Sequence, residues 1–171
     1  MVSSELRVSS MRTSVAAAAA NLTPVTLELG GKSPAMIAPE YPVTQAADRI
    51  AFGKCFNAGQ TCVAPDYVLL PQDQLEGFIK AFADSVKRRY PNMASDIDYT
   101  GIINERQSTR LAAWLAEAQA AGVRSVVCGP EKINNVDGLR LLPPTLLINP
   151  PAHLNVMQQE IFGPLLPIIT Y

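Results

Sequence analysis

A single histidine, His153, and only three cysteines leave this sequence short of soft metal ligands. Cys55 and Cys62 are separated by six residues, not the two to four of a close zinc pair, so no metal site is expected. The same three cysteines, irregularly spaced, do not form a disulfide framework, which points to a reducing compartment and to the cytoplasm. A basic excess is also missing. Fourteen Lys and Arg stand against fifteen Asp and Glu, for a net charge of −1, so the footprint of a nucleic-acid binder is absent. The one basic cluster, Lys87-Arg88-Arg89, reads as the last turn of a helix, where cations suit the dipole. No apolar run approaches the roughly 20 residues of a membrane span. Ala16 to Ala20, preceded by Arg7 and Arg12, is too short and too weakly apolar for a secretory core. It reads instead as a helix end capped near Asn21.

What is present is a globular composition, with 171 residues of which 48% are apolar and 17% charged. Strand and helix signals alternate. Val25–Leu29 (VTLEL) reads as a strand broken by Gly30-Gly31, and Ala35–Ala38 as a second, short one. From Thr44, a candidate N-cap, apolar residues recur at Ala46, Ala47, Ile50, Ala51 and Cys55 with helical spacing, and Gly59 ends that helix. DYVLLP at 66–71 is a strand. Asp73 is the candidate cap of a helix carrying Leu75, Phe78, Ile79, Phe82 and Val86 on one face. After a polar loop over 91–100, Asn104 and Gln107 form a candidate capping box for a helix with Leu111, Leu115 and Ala118, ended by Gly122. Residues 123–129 are a strand, 130–138 a turn-rich loop, 141–149 extended, 153–160 a short turn or helix, and 165–171 a strand. The expected fold class is α/β, with a twisted, mostly parallel sheet and flanking helices. The chain opens on the tail of a helix and stops inside an apolar strand, so the expectation is a piece of something larger. Its terminal strand, LLPIITY, is expected to be an unpaired edge that drives self-association.

Chemistry has few candidate carriers. Cys55 falls on the apolar side of its helix and Cys128 at the end of an apolar strand, where free cysteines serve as small hydrophobes. Cys62 lies past Gly59 in a loop, the setting in which nucleophiles are presented, with Asn57 and Gln60 available as hydrogen-bond donors. Spacing alone still leaves a structural Cys62 open, because buried cysteines outnumber catalytic ones. Glu28 sits inside VTLEL opposite Val25, Leu27 and Leu29. A carboxylate in a sheet buried on both faces needs a partner or a purpose. The carboxyl end of a strand is also where open α/β sheets place their sites. A general base and a glutamate bonded to the amides of the glycine turn are equally compatible with that position.

Three segments resemble the aldehyde dehydrogenase superfamily: LELGGKSP at 27–34, FNAGQTCVAP at 56–65 and QEIFGPLLPI at 159–168. They occur in that family's order within a resemblance running from Ala16 to Tyr171. The wording GKCFNAGQTCVAPDYVLLP, with DYTGIINERQ at 98–107, is most similar to the bacterial coniferyl aldehyde dehydrogenase branch. The resemblance implies Cys62 as nucleophile and Glu28 as general base, both facing one cleft, with Cys55 buried beneath. It implies Glu160 on a ribose of NAD or NADP and Phe162 near the nicotinamide ring. It further implies a small-molecule aldehyde substrate, aromatic and coniferyl-aldehyde-like, and a homo-oligomeric or self-associating chain with neither nucleic acid nor membrane as partner. Residues 1–15 are unmatched, 16–29 correspond to the end of the cofactor-domain region, and 30–171 to an incomplete catalytic domain. The expected reaction is oxidation of the aldehyde to a carboxylic acid through a thiohemiacetal and a thioester on Cys62. Two alternatives stand beside it: a truncated, non-catalytic remnant that persists as a folded or partner-bound domain, and a cysteine-dependent esterase without a redox step. Because most of the dinucleotide pocket is missing, the chain alone is expected to show no NAD(P)-dependent oxidation.

Overall fold

The computed structural model describes residues 3–27, 29–93, 98–129 and 140–171, with 3–11 described only as helical backbone. Its elements run α1 (Ser3–Ala20), β1 (Pro34–Met36), α2 (Val43–Cys55), β2 (Tyr67–Leu70), α3 (Leu75–Arg89), α4 (Glu105–Ala120), β3 (Arg124–Val127), β4 (Thr145–Ile148), α5 (Asn155–Gln158) and β5 (Leu165–Thr170). The strands form one five-stranded sheet in the order β1-β2-β5-β4-β3. β1, β2, β5 and β4 are parallel neighbours, and β3 closes one side antiparallel to β4. The expected α/β class with a mostly parallel sheet is therefore the observed one.

The helices follow their apolar stripes. On α2 the buried positions are Ala46, Ala47, Ile50, Ala51, Lys54 and Cys55. On α3 they include Leu75, Phe78, Ile79, Phe82 and Val86, and the last turn carries Lys87, Arg88 and Arg89 as the sequence suggests. Arg88 and Arg89 reach back to Asp48 of α2, at 2.8 and 3.1 Å, which ties the two packed helices together at the surface. Asn104 caps α4 by accepting from the Gln107 N–H at 3.0 Å, one half of the expected box. The Gln107 side chain turns instead to Arg110, whose guanidinium stacks on the Trp114 ring. Asn21 closes α1 through its side-chain bond to the Ala17 carbonyl, as its position predicts.

Four expectations differ from the structure. Thr44 lies inside α2, whose N-cap is Pro42, and Asp73 lies in a 3-10 turn, so that Gln74 precedes α3. Pro42 already fixes a backbone angle suited to helix entry, and no side-chain cap is formed. Residues 25–27 and 29 form no strand; Val25, Leu27 and Leu29 are exposed, and no described strand pairs with them. Their alternation fits a buried strand, but period alone does not supply a neighbour to bond. The last strand is not an edge. β5 lies in the middle of the sheet, paired with β2 and β4, and Leu165, Leu166 and Ile168 are fully buried. Beyond it the Tyr171 N–H bonds Leu70 at 3.1 Å, and the Tyr171 hydroxyl donates to Ile37 at 2.8 Å.

The sheet position of β5 sets a stability contrast. Ile168→Ala removes a fully buried side chain from the central strand and is expected to cost about 2–5 kcal/mol. Met36→Ala on the exposed side of the edge strand β1 should change stability by about 0.5 kcal/mol or less. Urea unfolding of the two variants checks the order.

Candidate active site

The parallel strands β1, β2 and β5 begin side by side, and the three sequence motifs are the segments that lead into them. Residues 30–33 precede β1, 59–66 precede β2 and 159–164 precede β5. The three motif segments thus meet at the amino ends of the parallel strands. Glu28 itself lies outside the described residues.

Asp66 is the knot of this region. It is buried, and its N–H donates to the Ser33 carbonyl at 2.8 Å. Its carboxylate pairs with the Lys32 ammonium and accepts from the Ile161 N–H at 2.9 Å. Lys32 completes its shell on the carbonyls of Val156 and Gln159, at 2.9 and 3.0 Å. One acid and one amine thereby join all three motif segments. Arg110 holds the other face of Ile161, donating to its carbonyl at 2.6 Å.

The turn that carries Cys62 leaves α2 through residues 56–59 in an unusual conformation. Asn57 (φ 50°), Ala58 (φ 51°) and Gly59 (φ 72°) are left-handed in succession. For the two residues with side chains this costs about 1–2 kcal/mol each, a strain that persists only where the surroundings overdetermine it. Gly59 has no alternative: a Cβ there would run into the Gly163 carbonyl of the third motif. Gly163 in turn faces Leu111, 2.6 Å from any added Cβ. Cys62 follows as a free, exposed thiol, and its carbonyl lies 3.5 Å from the Ser33 hydroxyl. Cys55 and Cys128 are free and buried, and desolvation pushes both thiols up to about 12. Cys55 is core filler, as its helical position suggests. Among the three cysteines, only Cys62 is exposed.

Glu160 is half-buried, and its carboxylate rests on the glycine pair of the first motif. It accepts from the Gly31 N–H at 3.3 Å and occupies the space a side chain at Gly30 would need. A Cβ at Gly31 would meet nothing within 4 Å, so there is open room beside this carboxylate. Phe162 is half-buried with φ 47°, a strained angle for a bulky residue. The structure therefore brings the Cys62, Glu160 and Phe162 segments together.

Three charged or polar partners were missed in the sequence. Lys32 and Asp66 look like surface charges beside a turn, and only the fold shows that they pair and that Asp66 is buried. Lys54 could have been found: it is four residues after Ile50 and three after Ala51, on the same stripe as the residues assigned to the core. It is fully buried and donates to the Pro65 carbonyl at 3.0 Å, closing the neck of the Cys62 turn. Gln60, an available hydrogen-bond donor by its sequence position, spends its amide on the backbone around it.

A mostly parallel α/β sheet thus gathers an exposed free thiol, a glycine pair and a carboxylate at the amino ends of three strands. The chain belongs to the aldehyde dehydrogenase family, whose model matches residues 8–171. It is 52% identical over 155 residues to a probable coniferyl aldehyde dehydrogenase of Pseudomonas aeruginosa, covering 91% of this chain and 32% of that protein. It is 46% identical over 157 residues to a coniferyl aldehyde dehydrogenase of a Pseudomonas species, again covering 32% of it. Among solved structures it resembles substrate-bound Staphylococcus aureus AldH, with a TM-score of 0.82 and 38% identity over 95% of this chain and 34% of that one. A Mycobacterium tuberculosis aldehyde dehydrogenase in complex with NAD+ matches with a TM-score of 0.76 and 31% identity over 95% of this chain and 34% of that one. The chain spans about a third of the length of these relatives.

Burial pushes the Lys54 ammonium down to about 8; Asp66 opposes that shift and Lys32 adds to it. Its unfolded value is near 10.5. Between these two values the unfolded chain binds the proton more firmly, so this lysine makes stability rise with pH, by at most about 1.4 kcal/mol per unit. Cys55 and Cys128 act with the opposite sign above their unfolded value of about 9, because the unfolded chain loses protons that the folded one keeps. The wild type should therefore gain stability relative to Lys54→Met between pH 8 and 10.5, the span set by Lys54. Urea unfolding of both at the two ends of that range checks it; a constant difference contradicts it.

Proposed function

We propose that this chain carries the thiol chemistry of an NAD(P)-dependent aldehyde oxidation, with Cys62 as the nucleophile. The observation that supports this best is the contrast among the cysteines: Cys62 alone is exposed, at the end of a strained turn pinned to the two other motif segments. The Cys62 thiolate adds to the aldehyde carbon and forms a thiohemiacetal. NAD or NADP, when bound, supplies the acceptor for hydride leaving that carbon. Glu160 has the acceptor chemistry a ribose diol requires and stands beside open space over the Gly30-Gly31 turn, so these residues fit such a group; Phe162 follows two residues on. The thioester on Cys62 is then hydrolysed by water, with Glu28 as the general base. An aromatic aldehyde of the coniferyl type is the substrate class, by similarity to the Pseudomonas proteins. Residues 16–29 complete the cofactor-domain region and 30–171 supply part of the catalytic domain. Free thiols suit a cytoplasmic setting. Among the described residues no helix is long and apolar enough to cross a membrane. Exposed Leu22, Val25, Leu27, Leu29 and Met36 favour an associated chain.

Acylation needs no nicotinamide and tests the thiol assignment directly. A nitrophenyl ester of an aromatic acid should release a burst of one nitrophenolate per chain and leave the acyl mass on Cys62. The burst should vanish in Cys62→Ala and survive in Cys55→Ser. Glu28→Gln should keep the burst and slow deacylation by about 10²–10⁴-fold. A burst that survives Cys62→Ala removes the assignment. The chain alone should not reduce NAD or NADP with aromatic aldehydes, because positioning of the two reactants supplies up to about 7–11 kcal/mol of the catalytic advantage; absorbance at the reduced-cofactor band reads this.

A further inference from the structure

The left-handed run Asn57–Gly59 has no regular structure to hold it. It is followed by one residue, Gln60, that is 8% exposed and spends every polar atom of its side chain on main chain. The two Nε2 hydrogens go to the carbonyls of Asn57 and Gly101, each at 3.1 Å. The Oε1 accepts from the Ile103 N–H at 2.9 Å. The main chain doubles the closure, since the Gln60 N–H bonds the Asn57 carbonyl at 3.0 Å and the Asn57 side-chain amide donates to the Gln60 carbonyl at 3.2 Å. The far side of the clamp is itself anchored. Arg140 donates to the carbonyls of Ile102 and Ile103, at 2.9 and 3.1 Å, and its carbonyl accepts from the Ile102 N–H at 2.8 Å.

We propose that Gln60 is the positioning residue for Cys62: its side-chain amide locks the left-handed turn onto residues 101–103 and so fixes where the thiol is presented. The proposal rests on the reading of Cys62 as the nucleophile. Its chemistry is specific to a carboxamide. Two donors and one acceptor are required on one flat group, and both ends are used. A methionine has the length but no donors. A glutamate has the shape, but its carboxylate turns an oxygen toward the carbonyls of Asn57 and Gly101 with no proton between them. A protonated glutamate restores one of the two donors. Among the charged side chains near the turn, Lys54 ends the preceding helix, Arg140 holds the 102–103 carbonyls, and exposed Glu105 stands two residues beyond Ile103. All three are common to wild type and variant, so a ratio of the two isolates the introduced acid.

Gln60→Glu separates positioning from thiol reactivity. Near neutral pH the variant should lose at least about tenfold in the rate of Cys62 acylation by the nitrophenyl ester, a step that needs an oriented thiol. Its reaction with a small pyridyl disulfide, which does not, should stay within about threefold of wild type, with Cys55 and Cys128 still protected. Near pH 5, where a buried glutamate protonates, the variant-to-wild-type acylation ratio should climb back toward one. Equal acylation of the two proteins near neutrality, or a deficit that does not change in acid, overturns the proposal. Deuterium exchange of the Ile103 amide in the wild type is a second readout, independent of how the variant folds. This residue is exposed, yet its N–H should exchange at least about tenfold more slowly than an unstructured amide because Gln60 holds it. Exchange at the unstructured rate removes the clamp. If the wild-type chain shows no ester burst at all, the Cys62 assignment fails, and the Ile103 exchange still decides whether the clamp exists.

Discussion

Everything at the amino ends of the parallel strands depends on the pair formed by buried Asp66 and half-buried Lys32. Asp66 stands between Pro65, held by Lys54, and Tyr67, the first residue of β2. Its two carboxylate oxygens face different segments, one toward Lys32 and one toward Ile161. Taking such a pair out of water costs much of what its attraction returns, and its net effect on stability is small or even unfavourable. Its stronger effect is on arrangement. Without Lys32 the buried Asp66 carboxylate would lose its ion-pair partner, so the three lead-in segments are held to one relative placement.

The backbone carries a matching signature. Among the described residues, five that are not glycine are left-handed: Leu22, Asn57, Ala58, Asn149 and Phe162. Leu22 follows the end of α1, and Asn149 ends β4, where its side chain bonds Thr170 of β5. The other three lie in the cysteine turn and in the strand lead-in that packs against it. Strain is therefore concentrated where the motifs meet and is absorbed by the contacts of Gly59 with Gly163 and of Gln60 with residues 101–103.

Much of the architecture was legible because it is written in local periodicity. The stripes of α2, α3 and α4 and the apolar runs of β2, β4 and β5 each follow from spacing that a single element can reveal. The misses share a cause. VTLEL alternates correctly but lacks a described neighbour, and LLPIITY resembles an edge because strand order is a property of the whole sheet that no single segment carries. Cys62 was separable from Cys55 by its place beyond Gly59. Lys54 was hidden by its own type: a lysine on an apolar stripe is read as an interruption until a carbonyl such as that of Pro65 is seen to receive it. Lys32 and Asp66, 34 positions apart, cannot be paired by any local rule.

The place of β5 in the sheet bears on how the chain is made. Strands emerge from a ribosome in sequence order, so β1 and β2 can pair early, and β3 and β4 can pair later as a separate ribbon. Neither pair of strands bonds a strand of the other until residues 165–170 arrive to lie between them. During that interval the facing edges of β2 and β4 are both open and apolar, the situation in which nascent chains pair wrongly or seek a chaperone. A strand that follows these four in sequence and sits between them acts as a keystone: the alignment of all three motif segments waits for residues 165–170 to join the two pairs.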